Sequence, residues 1–155
     1  MPPTISNGIV IPDANILIAL CAKEPKQSKA EKALETYAND GWEFYAPNII
    51  VAEVLYILCQ KHQGGTLTDK AYEEAVDNFQ DQMKAIKTIS DADLIKRAFE
   101  IQQSYGCSRS ADSIYIALAE HLAQSNTVEI VTFDGGLVNQ AAKNAPTVKV
   151  NVLPV

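Results

Sequence analysis

The sequence predicts an α/β fold: a three-layer α/β/α sandwich around a short, mostly parallel central sheet. Two observations predict it. Short apolar runs alternate along the chain with longer stretches of helical periodicity, and strand-like runs separated by helices pair in parallel through crossover connections. A length of 155 residues, 47% of them hydrophobic, is enough for the core of a single domain, 1–155, without disulfides or a structural metal.

The first strand is Gly8 to Ile11, closed by Pro12 and followed by Asp13, Ala14 and Asn15 at the head of a helical stretch, ILIALCAK. A second helix is expected from Pro25 to Ala38, because Pro suits a first turn and Asn39-Asp40-Gly41 ends it. A brief strand follows at Trp42 to Tyr45. From Asn48 to Gln60 apolar residues fall on every side of the helical wheel, which predicts a buried helix. After Gly64-Gly65 a more polar amphipathic helix runs from Thr68 to Ala85, then a strand from Ile86 to Ile89 and helices at Ala92 to Ser104 and Ala111 to Ala123. A strand at Val128 to Phe133, an Asp134-Gly135-Gly136 turn, a short helix through Ala142 and a last strand at Val148 to Val152 complete the reading. In an open parallel sheet of this kind, ligands sit beyond the carboxyl ends of the strands.

Composition narrows the function. Thirteen Lys and Arg against 19 Asp and Glu leave a formal charge of −6, which argues against a broad basic surface for nucleic acid. No apolar run approaches the roughly 20 residues of a spanning helix, and the start lacks the pattern of an export signal. Cys21, Cys59 and Cys107 form no CxxC and no zinc-ligand spacing with His62 or His121, so a reducing, cytoplasmic setting is expected.

Four acids stand out. Asp13 follows a buried strand and precedes a helix, which suits both an N-cap and a site residue. Glu53 lies among Ile49, Ile50, Tyr56 and Ile57, where a carboxylate needs a cation, a basic partner or a route to water. Asp112 opens a helix and continues the core-facing stripe of Tyr115, Ala119 and Leu122, although the helix dipole alone would favour an acid there. Asp134 lies beyond another strand in a glycine turn, where turn chemistry could also account for it. Two acids at strand ends and two on helices above the same sheet edge could converge on a hard, oxygen-seeking cation, and metal-assisted phosphoryl chemistry follows. Two bound Mg²⁺ ions would bring −6 to about −2 and place positive charge where a phosphate would sit. Asp91 and Asp93 read as helix-start acids, His62 and His121 as exposed helix residues. Arg109, three residues before Asp112, is a candidate contact for a substrate phosphate, though a solvated role is the commoner one.

The segments PDANILI, NIIVAEVLYIL, SRSADSIYIALAEHL and VTFDGGL, in this order, resemble the PIN-domain family, whose bacterial members include the VapC-type toxin ribonucleases of toxin/antitoxin pairs. The resemblance covers almost the whole chain. It implies a PIN-like fold in which Asp13, Glu53, Asp112 and Asp134 form an acidic metal-binding and catalytic quartet, supported by Asn15 and Thr132. It further implies hydrolysis of RNA phosphodiester bonds with one or two Mg²⁺ or Mn²⁺ ions, without a covalent enzyme intermediate, together with a cognate antitoxin and a homodimer. The alternative is a catalytically inactive PIN-like module acting through RNA or protein partners. A haloacid-dehalogenase-type phosphatase would need a second acid at Asn15, and a receiver domain an early acid pair, so both rank lower.

Overall fold

A computed structural model describes residues 6–107 and 111–155. Five strands, β1 (Gly8–Pro12), β2 (Trp42–Pro47), β3 (Ile86–Ile89), β4 (Val128–Thr132) and β5 (Lys149–Val152), form one sheet in the order β3-β2-β1-β4-β5. All four pairings are parallel, so the mostly parallel expectation becomes a wholly parallel sheet.

Helices fill every crossover. α1 (Ala14–Cys21) and α2 (Gln27–Asn39) join β1 to β2, and α3 (Ile49–Gln63) and α4 (Asp69–Met83) join β2 to β3. A 3-10 turn (Asp91–Leu94), α5 (Ile95–Tyr105) and α6 (Asp112–Ala123) lead back to β4, and α7 (Gly136–Asn144) precedes β5. Alternation along the strands builds two apolar layers. Ile9, Ile11, Val128 and Ile130 pack with Val54 and Leu58 of α3, Phe79 of α4 and Ile116 and Leu118 of α6. Val10 and Val131 face the other way, onto Ile16 and Ala19 of α1 and Ala30 and Tyr37 of α2.

The connection after β3 carries the chain back across β1 and β2, so the strand order reverses between β1 and β4. Such a reversal leaves a crevice beyond the carboxyl ends of the two strands, because their connections depart in opposite directions.

Three expectations need correction. α3 is not buried all round: Ile50, Val54 and Leu58 are enclosed, while Val51, Leu55 and Tyr56 reach solvent, because only one flank meets the core. Asp91 does not cap its own turn, where Ser90 accepts from Ala92 N; its carboxylate instead accepts from Ile49 N at the start of α3. His62 is partly buried, stacked on Tyr72 and 2.7 Å from Asp69, whereas His121 is exposed as expected. Among the described residues, no helix is long and apolar enough to cross a membrane.

Candidate metal centre

The crevice between β1 and β4 is where the acids lie. Asp13 directly follows β1, Asp134 comes two residues after β4, Asp112 opens α6 and Glu53 lies one turn into α3. All four line one cleft of about 340 Å³, together with Asn15. Size alone does not single this cleft out: a hollow of about 500 Å³ lies between α2, Trp42 and the residues around β5, but it does not gather these acids.

Asp13 is 8% exposed and held from several sides. One oxygen accepts from Ala14 N at 2.7 Å, so the capping role is real. The other accepts from the Thr132 hydroxyl at 2.8 Å and from Asn15 Nδ2 at 3.3 Å. Thr132, fully buried at the end of β4, also accepts from Asn15 Nδ2 at 3.1 Å and from Asp134 N at 3.0 Å. A hydroxyl has one proton to give and two lone pairs to share, and all three are used here. Asn15 completes the tie by accepting from Phe133 N at 3.2 Å. The strand ends that carry Asp13 and Asp134 are thereby fixed to each other.

The remaining acids are held from the helical side. Tyr115, on the buried face of α6, donates its hydroxyl to Glu53 Oε1 at 2.8 Å. Gln140 of α7 donates to Asp112 Oδ2 at 2.9 Å, within the buried layer. Asp134 is exposed and accepts from Gly136 N at 2.8 Å, which is the turn chemistry its sequence suggested. Arg109 lies outside the described residues. Tyr115 and Gln140 were not predicted as site residues: Tyr115 reads as part of the apolar stripe, and nothing in the sequence brings Gln140 close to Asp112.

The electrostatics of the cleft disfavour ionised carboxylates. Burial pushes the Asp13 carboxyl up to about 6, with the neighbouring charges of Asp112 and Asp134 adding to the rise against the Thr132 and Ala14 hydrogen bonds. Burial likewise raises Glu53 to about 7, opposed by the Tyr115 hydrogen bond and reinforced by Asp13, Asp112 and Asp91. Among the described residues, no three potential ligands stand close enough to form a ready-made chelate. The donor set nevertheless fits a hard cation: its charged groups are oxygen acids, they are packed closely enough to oppose one another's ionisation, and a divalent ion would relieve that opposition.

Comparison with known proteins bears on the fold and the family. No curated protein matches the chain in sequence. Among solved structures, VapBC2 from Rickettsia felis, bound to a DNA fragment from their promoter, is similar at a TM-score of 0.64 and 15% identity, covering 94% of this chain and 98% of the other. A toxin-antitoxin complex from Klebsiella pneumoniae is similar at 0.58 and 22% identity, covering 90% and 94%. PAE2754 from Pyrobaculum aerophilum follows at 0.51 and 18%, covering 88% and 87%. At these identities the likeness is one of fold. Residues 10–143, which include all four acids and their supporting hydrogen bonds, match the PIN domain, and the chain belongs to the PIN domain family.

Proposed function

We propose that this protein is a Mg²⁺- or Mn²⁺-dependent ribonuclease that hydrolyses RNA phosphodiester bonds, and that it is the toxin of a toxin/antitoxin pair acting in the cytoplasm. One observation carries the reading: four carboxylates from four separate elements line a single cleft at the strand-order reversal of a PIN-domain sheet.

Asp13, Glu53, Asp112 and Asp134 would hold one or two ions. Bound there, the cation supplies Lewis-acid stabilisation of charge on phosphoryl oxygens and eases the ionisation of water. The protein supplies fixed geometry. Thr132 and Asn15 keep Asp13 in one orientation, and Gln140 does the same for Asp112. Tyr115 occupies Oε1 of Glu53, which leaves Oε2 to ligate or to orient water. No side chain is called on to form a covalent intermediate.

The assembly part of the proposal draws on the solved neighbours, of which one is a toxin-antitoxin complex. It draws also on apolar side chains left exposed on α3 (Val51, Leu55, Tyr56) and α5 (Ile95, Phe99), which suit burial against an antitoxin or a second copy.

The test is cleavage of a panel of structured and single-stranded RNAs with Mn²⁺ or Mg²⁺, with chelator, and with Asp112→Asn. Asn keeps an oxygen to accept from Gln140, so the fold should survive while cleavage falls by more than about 100-fold. Cleavage by the variant at the wild-type rate would remove Asp112 from the site. RNA binding without cleavage by the wild-type protein would favour a binding module.

A further inference from the structure

The cleft is charged at both ends and apolar between them. Glu53, Ile57 and Lys61 follow one another at spacings of four along α3, which sets them in one row on the helix surface. Eight residues at about 1.5 Å each put Lys61 about 12 Å along the axis from Glu53. Ile18 of α1 and Ile57 line the stretch between. Among the described residues that line the cleft, Lys61 is the one cation, set against five carboxylates.

Lys61 is also held. Its Nζ is 2.8 Å from Glu24 Oε2, with both side chains about three-quarters enclosed, at 25% and 23% exposure. Glu24 reaches this position because Lys23 takes a left-handed conformation (φ 53) after α1, and Glu24 N then donates to Ala19 O. An ion pair spread over an outer surface contributes little. This pair lies inside the wall of a cleft, and it engages one of the three donors of an ammonium group, leaving two for another acceptor.

We infer that Lys61 grips a phosphate of the RNA other than the one cut, and so sets the register of the strand along the groove between α1 and α3. The inference rests on the ribonuclease reading. The position along α3 decides which phosphate is involved: Lys61 lies about two turns beyond Glu53 with Ile57 between them, and its ammonium is held by Glu24 rather than by the acidic quartet, so it suits a phosphate farther along the backbone. The apolar stretch at Ile18 and Ile57 then lies under the intervening nucleotide. On a chain of net charge −6, whose surface repels RNA, a single cation fixed within the cleft carries unusual weight in binding.

The experiment uses the full chain with Mn²⁺, an oligoribonucleotide that it cleaves, and the variants Lys61→Gln and Lys61→Arg, with kcat and KM measured over a range of salt. Lys61→Gln should raise KM about tenfold, the scale of one charge-assisted hydrogen bond, and leave kcat within about twofold. The slope of log(kcat/KM) against log[salt] should become shallower by about 0.7, one phosphate contact on a single strand. Lys61→Arg should restore both. Replacing each phosphate in turn by a neutral methylphosphonate should reveal one non-scissile position that weakens cleavage by the wild type and not by Lys61→Gln. An unchanged KM and salt slope in Lys61→Gln would overturn the role of Lys61. So would a fall in kcat and melting temperature with an unchanged salt slope, which would mark the Glu24 pair as purely structural. Failure of the wild-type protein to cleave any RNA would sink the ribonuclease reading itself, and this inference with it.

Discussion

Replacing Asp13 by Asn should make the metal-free protein more stable at neutral and alkaline pH. Burial and the neighbouring carboxylates hold the Asp13 carboxyl at about 6, against an ordinary value of 3.8. The folded state therefore keeps a proton that the unfolded chain gives up. Below pH 3.8 both states are protonated and no penalty exists; between about 4 and 6 stability falls as pH rises; above 6 the penalty is complete. Roughly two pH units at about 1.4 kcal/mol each amount to about 3 kcal/mol, and Asp13 is buried deeply enough that little is lost to solvent screening. The substitution gives back about 1 kcal/mol, because an amide has one oxygen where both carboxylate oxygens accept hydrogen bonds. The net gain expected at pH 8 is about 2 kcal/mol. Urea unfolding with chelator, at pH 8 and again near pH 3.5, measures it: Asp13→Asn should be the more stable at pH 8, and the advantage should vanish at the acid end. Saturating Mg²⁺ or Mn²⁺ should then stabilise the wild type by about 2.7 kcal/mol at a hundredfold excess over Kd, which reverses the order and leaves it ahead by about 0.7 kcal/mol. A variant less stable than wild type at pH 8 in chelator, or an advantage independent of pH, would refute the claim that this carboxylate is held against its own charge.

Two further substitutions probe the supports of the site. Tyr115→Phe removes the hydrogen bond that opposes the rise of Glu53, so its carboxyl should move above about 7, and a pH–rate profile should lose activity at pH 6 more than at pH 8.5. Thr132→Val strips the hydroxyl that serves Asp13, Asn15 and Asp134 N together; denaturant titration should show a loss of about 3 kcal/mol, and cleavage should fall by about 10- to 100-fold.

The layers, the order of elements and the four acids were legible because each leaves a local mark: a run of β-branched residues, a glycine turn, an acid where an apolar residue would be expected. Boundaries were legible only to within about three residues. α2 starts at Gln27 and not at Pro25, and β4 closes at Thr132 before Phe133. What the sequence could not disclose was partnership across the fold. The wheel of α3 shows apolar residues on every side, but not that one flank stays exposed at Val51, Leu55 and Tyr56. Tyr115 has the spacing of a core residue and is one, yet its hydroxyl serves Glu53, which is 62 positions away. Asp91 fits the pattern of a local cap and caps α3 instead. The reversal of strand order between β1 and β4, which explains why Asp13 and Asp134 face one crevice, is a property of topology and has no sequence signal of its own.

That reversal also sets a timetable for synthesis. β1 is made first and sits at the centre of the sheet, but its neighbour on the site side, β4, is made almost last. Until Val128–Thr132 emerges and docks, one flank of β1 lacks its hydrogen-bonding partner, Asp13 lacks the Thr132 hydroxyl, and Asp134 has yet to reach the crevice. A growing chain on the ribosome thus holds half of its acids long before it can use them. If the protein is the toxin proposed here, RNA around it is spared until the sheet closes, and an inhibitor made alongside it has that interval in which to be ready.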